Sequence, residues 1–255
     1  MKILYVGDSP VGGAANYLLG ILRLLKATVR HLPPSATLEP SALASRYHVV
    51  ILSDVPRQHV PIPAQEAIAR QVARGTGLLM IGGWASFSGP CGGWRGSVIE
   101  SLLPVRCLTR DDRRQFPAGA LVVVTRRHGM FRPHLFASPP SICGLNEVRP
   151  KPRSLVLLSA RRIVSRVSRT TRSFSLSLDP HEYPVLAIDV NPQRRIAALT
   201  TDVAPHWCGG LVDWGSTRVR LPVRDGMQIE VGNDYVRFVA ALIGWLGRAE
   251  HVDAR

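Results

Sequence analysis

The stretch from Gly77 to Gly89, GLLMIGGWASFSG, constrains this chain more than any other. Leu78 to Ile81 form an unbroken apolar run between Gly75/Gly77 and Gly82–Gly83. Such a run marks a short strand buried on both faces. In open α/β sheets, ligands bind just past the carboxyl ends of the strands. A Gly-Gly corner at that place lets the chain turn sharply and lets a ligand approach the backbone. A tight turn carrying a packed tryptophan, Trp84, is the plainer reading of the same residues.

The segments around this strand alternate between strand and helix patterns. Residues 2–6 read as a first strand ending at Gly7-Asp8. Gly12 and Gly13 then lead into a helix over about 14–26, with Tyr17, Leu18, Ile21, Leu22 and Leu25 at helical spacing. The turn GDSPVGGAA matches neither the dinucleotide fingerprint nor the P-loop, so nucleotide binding has no motif behind it. Strands follow at 28–31 and 47–52, the latter with Ser53-Asp54 at its end. The next helix has Pro63 near its start and Gly75 at its stop. Further strands are predicted at 121–125, 155–158, 183–189 and 195–201, the last two turning at Asn191-Pro192. Short and long helices are predicted at 97–103 and at about 234–247, with Asn233 as a cap for the latter. The alternation predicts a doubly wound, mostly parallel sheet with helices on both faces.

Length allows one core: 255 residues fit a single α/β domain, 1–255, with extra loops. No run approaches the ~18 apolar residues of a membrane span. The N-terminal apolar stretch is too short for a signal peptide, which predicts a cytoplasmic protein. Cys91, Cys107, Cys143 and Cys208 are too far apart in sequence for a metal knuckle or redox pair. His59, His128, His134 and His181 are equally scattered, so no metal or cofactor is expected. The formal charge of +14 comes almost wholly from arginine, since only Lys2, Lys26 and Lys151 are lysines. Arginine clusters at 161–172 (RRIVSRVSRTTR), within a Ser/Thr-rich stretch, 161–178, that reads as an exposed excursion. No nucleic-acid motif accompanies it, so a solvated face is the ordinary meaning and nucleic acid is not the expected partner.

Four polar clusters fall at predicted strand ends: Asp8-Ser9, Ser53-Asp54, Trp84-Ala85-Ser86 and the run 201–207, TDVAPHW. In a parallel sheet those ends share one edge and can line one pocket, although Asp and Ser are also common turn formers there. His206 is the candidate for acid–base work because its unperturbed pKa lies near neutrality. Asp202 or Asp213 could orient it, and a structural hydrogen-bonding role is the equal alternative. Ser86 is a candidate nucleophile, although WASFS lacks the G-x-S-x-G elbow. Cys91 sits in a glycine-rich loop, a poor place for a preorganised nucleophile.

Taken together, ILYVGDS (3–9), YHVVILSD (47–54), GLLMIGGWASFSG (77–89), LPV with a following DDR (103–105, 111–113), TDVAPHWCGGLVDWG (201–215) and IEVGNDY (229–235) resemble a bacterial family of glutamine amidotransferase-like proteins of class I. The resemblance implies a flavodoxin-like fold. In working members of that class a cysteine sits at the turn after the central strand, and a His-x-Glu pair completes the triad. Here Gly82-Gly83-Trp84-Ala85-Ser86 holds no cysteine, and residue 208 is Cys208 where the glutamate would stand. The family pattern also carries an acidic residue after the tryptophan, where this chain has Ala85.

These features predict an amidotransferase-like protein without the Cys-His-Glu triad, binding a small polar ligand at the strand ends. Asp8, Asp54, Asn146 and His206 would fix its polar groups. Gly82 and Gly83 would let it approach the backbone, and Trp84 and Trp207 would supply apolar contact. The alternative is a hydrolase or transferase using His206 with Ser86 or Cys91, Asp202 or Asp213 as orienter, and amides near Gly83 and Trp84 as an oxyanion hole. A scaffold subunit, contacting a second copy through loop 87–96 and the last helix, is a further alternative. A homo-oligomer is expected in any case.

Overall fold

The computed structural model describes residues 1–10, 13–168, 170, 172–223 and 227–249. Gly12, named above as a helix lead-in, lies outside the described residues. Thirteen strands form among them: β1 (Lys2–Gly7), β2 (Thr28–Leu32), β3 (Val49–Ser53), β4 (Gly77–Ile81), β5 (Val105–Arg106), β6 (Arg113–Val124), β7 (Ser141–Asn146), β8 (Arg149–Pro150), β9 (Ser154–Ser168), β10 (Ser173–Asp189), β11 (Ile196–Leu199), β12 (Arg218–Pro222) and β13 (Gln228–Gly232). The α-helices are α1 (Ala14–Leu24), α2 (Ile62–Ala73), α3 (Val98–Leu102), α4 (Pro205–Cys208) and α5 (Asn233–Leu246).

Nine strands make the main sheet, in the order β2-β1-β3-β4-β11-β10-β9-β6-β7. From β2 to β11 every pairing is parallel, and from β11 to β7 every pairing is antiparallel. β4 stands fourth, between β3 and β11, and all five of its residues are buried. Alternate residues along the parallel strands feed two separate cores. Ile3, Tyr5, Val49, Ile51, Leu79 and Leu199 pack with α1 and α5. Leu4, Val6, Val50, Leu52, Met80 and Ala198 pack with α2 and α3 on the other face. The result is the α/β sandwich expected from continuous apolar strands, because a strand alternates its side chains between faces.

In its described residues the exposed excursion at 161–178 forms the outer halves of β9 and β10, an antiparallel hairpin paired from Phe174↔Val167 down to Leu178↔Ile163. Its ladder of backbone hydrogen bonds orders it without core side chains; Val167, Phe174 and Leu176 remain exposed. Asn233 does not cap the last helix. It is the first helical residue, and its Oδ1 accepts the Thr217 amide at 3.1 Å, tying the helix start to the loop before β12.

The parallel strands end level with one another. Gly7 pairs with Ser53, Ser53 with Ile81 and Leu199 with Ile81. The residues just beyond, Asp8, Asp54, Gly82 and Thr200–Asp202, therefore sit along a single edge. No helix among the described residues is long and apolar enough to cross a membrane.

Candidate functional site

Asp8 and Asp54 leave β1 and β3 with φ of 41° and 43°, in the left-handed region that aspartate tolerates better than most residues. Asp202 follows β11 and opens the turn into α4: its Oδ1 accepts the amides of Val203 (2.5 Å) and Ala204 (3.2 Å). Its Oδ2 lies 2.9 Å from Nε2 of His206, one helical turn on. Asp202 is 1% exposed, whereas the His206 side chain is 55% exposed, so the imidazole is the cluster's door to solvent. Asp8 is buried beneath it, with the Tyr5 hydroxyl donating to its Oδ2.

The charges of these groups are felt by one another. Burial, then the Asp202 charge, pushes the Asp8 carboxyl well above the carboxylate range. Burial also raises Asp54, against the pull of the Ala85 amide. The contact with Asp202 raises His206, and the charges of Asp54 and Asp8 add to it, against desolvation. The contact with Asp202 thus shifts the His206 balance toward its charged form. Among the described residues, no three His, Cys, Asp or Glu side chains are arranged to hold a metal ion.

The elbow after β4 is closed on itself. A Cβ at Gly82 would overlap the Thr200 carbonyl, and one at Gly83 would overlap the Asp54 side chain. The Gly82 amide donates to Leu199 O (2.8 Å) and Thr201 O (3.1 Å). The Gly83 amide donates to Asn146 Oδ1 at 2.9 Å, while Asn146 Nδ2 returns a bond to Gly83 O at 3.1 Å and another to Asp112 Oδ1 at 2.7 Å. The Ala85 amide donates to Asp54 Oδ1 at 2.6 Å, and the Trp84 amide also serves Asp54. Ser86 is 1% exposed; its hydroxyl donates to Ile81 O at 2.6 Å and accepts the Asp54 amide at 3.1 Å. Asp112, whose carboxyl burial pushes up to about 6, accepts the Ser88 amide at 2.6 Å.

The structure therefore sorts the residues singled out by sequence. Asp8, Asp54, Asp202 and His206 come together. Asp213 does not join them: it pairs with Arg218 at 2.5 Å. The amides of Gly83 and Trp84 are spent on side chains, which leaves no open oxyanion hole there. Asn146 is fully buried as a clamp on the elbow. Trp207 is 3% exposed and packs against the backbone of Gly144. Trp84 is 49% exposed, with the Arg113 guanidinium 4.2 Å from its ring centre. Cys91 is exposed and lines a separate cavity of about 400 Å³ near α2, away from His206. Cys208 is buried and burial pushes its thiol well up. The role of Tyr5 under Asp8 was not visible in sequence; its only signal is a polar aromatic three residues before a strand-end carboxylate. Asp112 lay within the DDR motif but carried no sign of which group it would face.

The solved structures most informative for this chain are two proteins of Salmonella typhimurium. "Cytoplasmic Protein STM1381", from strain LT2, is 26% identical, with 82% of this chain and 91% of that one covered and a TM-score of 0.63. "Cytoplasmic Protein STM3548" is 23% identical over the same shares, also with a TM-score of 0.63. A β-galactosidase from Rahnella sp. R3 shares the fold in part of its length: 94% of this chain, 30% of that chain, 10% identity, TM-score 0.52. No curated protein matches the chain. The model of the family described as "Putative glutamine amidotransferase" matches residues 12–222, and the chain belongs to that family.

Proposed function

We infer that this chain is an amidotransferase-like protein that does not hydrolyse glutamine through a cysteine triad and instead binds a small polar ligand at the carboxyl edge of its parallel strands. The observation that carries this reading is the convergence of Asp8, Asp54 and Asp202 around His206, beside an elbow with no thiol and no unused hydroxyl. Three aspartate carboxyl groups, two of them raised by burial, present acceptor oxygens around one imidazole and favour a ligand rich in hydrogen-bond donors, such as an amine or amino-polyol. Such a ligand enters past His206 and Trp84, the exposed members of the edge.

The hydrolase reading has less support. A nucleophilic Ser86 would have to give up two buried hydrogen bonds, to Ile81 O and from the Asp54 amide, and His206 is paired with Asp202 rather than with Ser86. The scaffold reading loses one of its surfaces, because the apolar stripe of α5 (Tyr235, Phe238, Leu242, Leu246) is buried within this chain. The two Salmonella relatives described as cytoplasmic proteins favour a cytoplasmic setting for this chain too.

The test pairs two assays on the full chain. Ammonia release from glutamine by wild type should equal that of His206→Ala. Putrescine and glucosamine, followed by melting temperature, should stabilise wild type but not Asp54→Asn. Glutamine hydrolysis that His206→Ala abolishes overturns the reading. So does indifference of wild type to both probes.

A further inference from the structure

A cavity of about 660 Å³ opens beside β5, β8 and the start of α3, with none of the strand-edge cluster in its walls. Its volume lies in the ~300–1,000 Å³ range of small-molecule sites. Of the twelve residues lining it, Arg95, Arg106, Arg110, Arg149 and Lys151 are cations and only Glu100 is acidic. In the whole chain 32 of 255 residues are basic, so this density is not the background of an arginine-rich protein.

Among the described residues, counter-ions are few: the Glu100 charge acts on Lys151, and Glu147 lies 3.6 Å from Arg110. Glu100 is spent on the backbone: Oε2 accepts the Gly96 amide at 2.5 Å and Oε1 the Cys107 amide at 2.7 Å. Arg110 reaches Glu147 only at 3.6 Å, and Glu147 is held closely by Arg114. Among the described residues no carboxylate pairs with Arg95, Arg106 or Arg149. Lys151 donates to the carbonyls of Glu100 (2.6 Å) and Ser101 (3.1 Å), and burial lowers its pKa. Most telling, Arg106 and Arg149 are cross-strand partners in the antiparallel pair β5–β8. Like charges directly opposite one another destabilise a ladder, and this one has two rungs. An arrangement that costs stability when empty is relieved when an anion sits between the two guanidinium groups.

We propose that this cleft binds a small phosphorylated molecule, its phosphate bridged by Arg106 and Arg149. The planar fork of arginine matches phosphate oxygens in pairs. A single carboxylate would leave most of this charge unbalanced. Cys107 in the wall takes no chemical part, since burial pushes its thiol up and keeps it neutral. The site is independent of the strand-edge reading.

Pyrophosphate titrated calorimetrically into the full chain tests the proposal, with Arg106→Gln/Arg149→Gln as the cleft variant. A second double variant, Arg70→Gln/Arg220→Gln, removes the same charge from exposed positions outside the cleft. Wild type and this control should bind saturably and gain melting temperature with pyrophosphate. The cleft variant should bind roughly tenfold or more weakly and gain nothing. Without pyrophosphate it should melt no lower than wild type, because a like-charge pair has gone. Equal affinity in all three proteins, equal loss in the control, or no saturable binding by wild type overturns the proposal. So does tighter binding of duplex DNA or of phosphatidic acid vesicles that the cleft variant abolishes, since the phosphate would then belong to a macromolecule or a membrane.

Discussion

Replacing Asn146 should unlock the elbow. The side chain is fully buried and makes three hydrogen bonds, two to Gly83 and one to the Asp112 carboxylate. Asn146→Ala leaves the Gly83 amide and a carboxylate oxygen without partners. A buried group left unsatisfied costs about 1–3 kcal/mol, and a charged one stands at the upper end. Since water can enter part of the gap, the expected loss is about 3–5 kcal/mol of the ~5–15 kcal/mol that holds a domain together. For a chain of this length that lowers the melting temperature by roughly 6–20 °C. Asn146→Asp separates geometry from charge. It keeps the acceptor for Gly83 but sets a second carboxyl against Asp112 at the 2.7 Å now occupied by an N–H···O bond. Two such carboxyls must share a proton. The deficit of this variant relative to wild type should therefore be largest near neutral pH and shrink as pH falls to about 5. Urea unfolding followed by tryptophan fluorescence at several pH values measures both variants. If both lie within about 1 kcal/mol of wild type, or if the Asn146→Asp deficit grows on acidification, the clamp is not what holds the turn.

The wild type should have its own pH signature. Asp8, Asp54 and Asp112 have raised folded pKa values, so the fold binds their protons more tightly than the unfolded chain and loses stability as pH climbs through that interval. His206 is raised too, so its contribution is complete below the ordinary 6.5 and vanishes as pH passes its folded value. The urea midpoint should accordingly be higher near pH 5.5 than near pH 8; a flat or opposite profile refutes these shifts, and Asp202→Asn should remove the histidine part. Gly82→Ala forces a Cβ into the Thr200 carbonyl on the neighbouring strand connection and should cost about 3 kcal/mol or more, seen as poor soluble yield or a large melting shift. Trp84→Ala, by contrast, should cost under about 1 kcal/mol, because the ring is half exposed and its main contact is Arg113; a core-sized loss would return Trp84 to a packing role.

Much of the fold was legible because burial on both faces leaves a simple trace. GLLMI could be read as a central strand, and YHVVIL as a strand, without their neighbours, since both alternating sets of side chains in GLLMI and in Val49–Leu52 are apolar and each set feeds its own core. The outer hairpin left no such trace. Between 161 and 178 the chain is Ser- and Arg-rich, and its strands are held by backbone pairing that any side chain permits. Its order is a property of two strands together, so neither segment announces it alone. The paired arginines of the basic cleft were hidden for the same reason: 106 and 149 become neighbours only through the ladder.

At the strand edge, sequence located polar residues but not the direction in which their lone pairs point, and that direction separates an enzyme elbow from a locked turn. A nucleophile elbow needs an oxygen or sulfur with no fixed partner, and amide donors aimed at an empty position. In this chain the turn from Gly82 to Ser88 uses those groups to hold itself. Leu199 and Thr201 take the Gly82 amide, Asn146 takes Gly83, Asp54 takes Ala85, Asp112 takes Ser88, and Ile81 takes the Ser86 hydroxyl. On the reading proposed above, a thiol alone would not make this turn catalytic. Ser86→Cys would place sulfur in a buried site already bonded to Ile81 and Asp54, where desolvation favours the neutral thiol. Glutaminase activity in that variant should stay at background, and any hydrolysis above it would mean that the turn opens in solution. The polar side chains that remain open at this edge lie instead at the ends of β1, β3 and β11, where Asp8, Asp54 and Asp202 act on a histidine that solvent can reach.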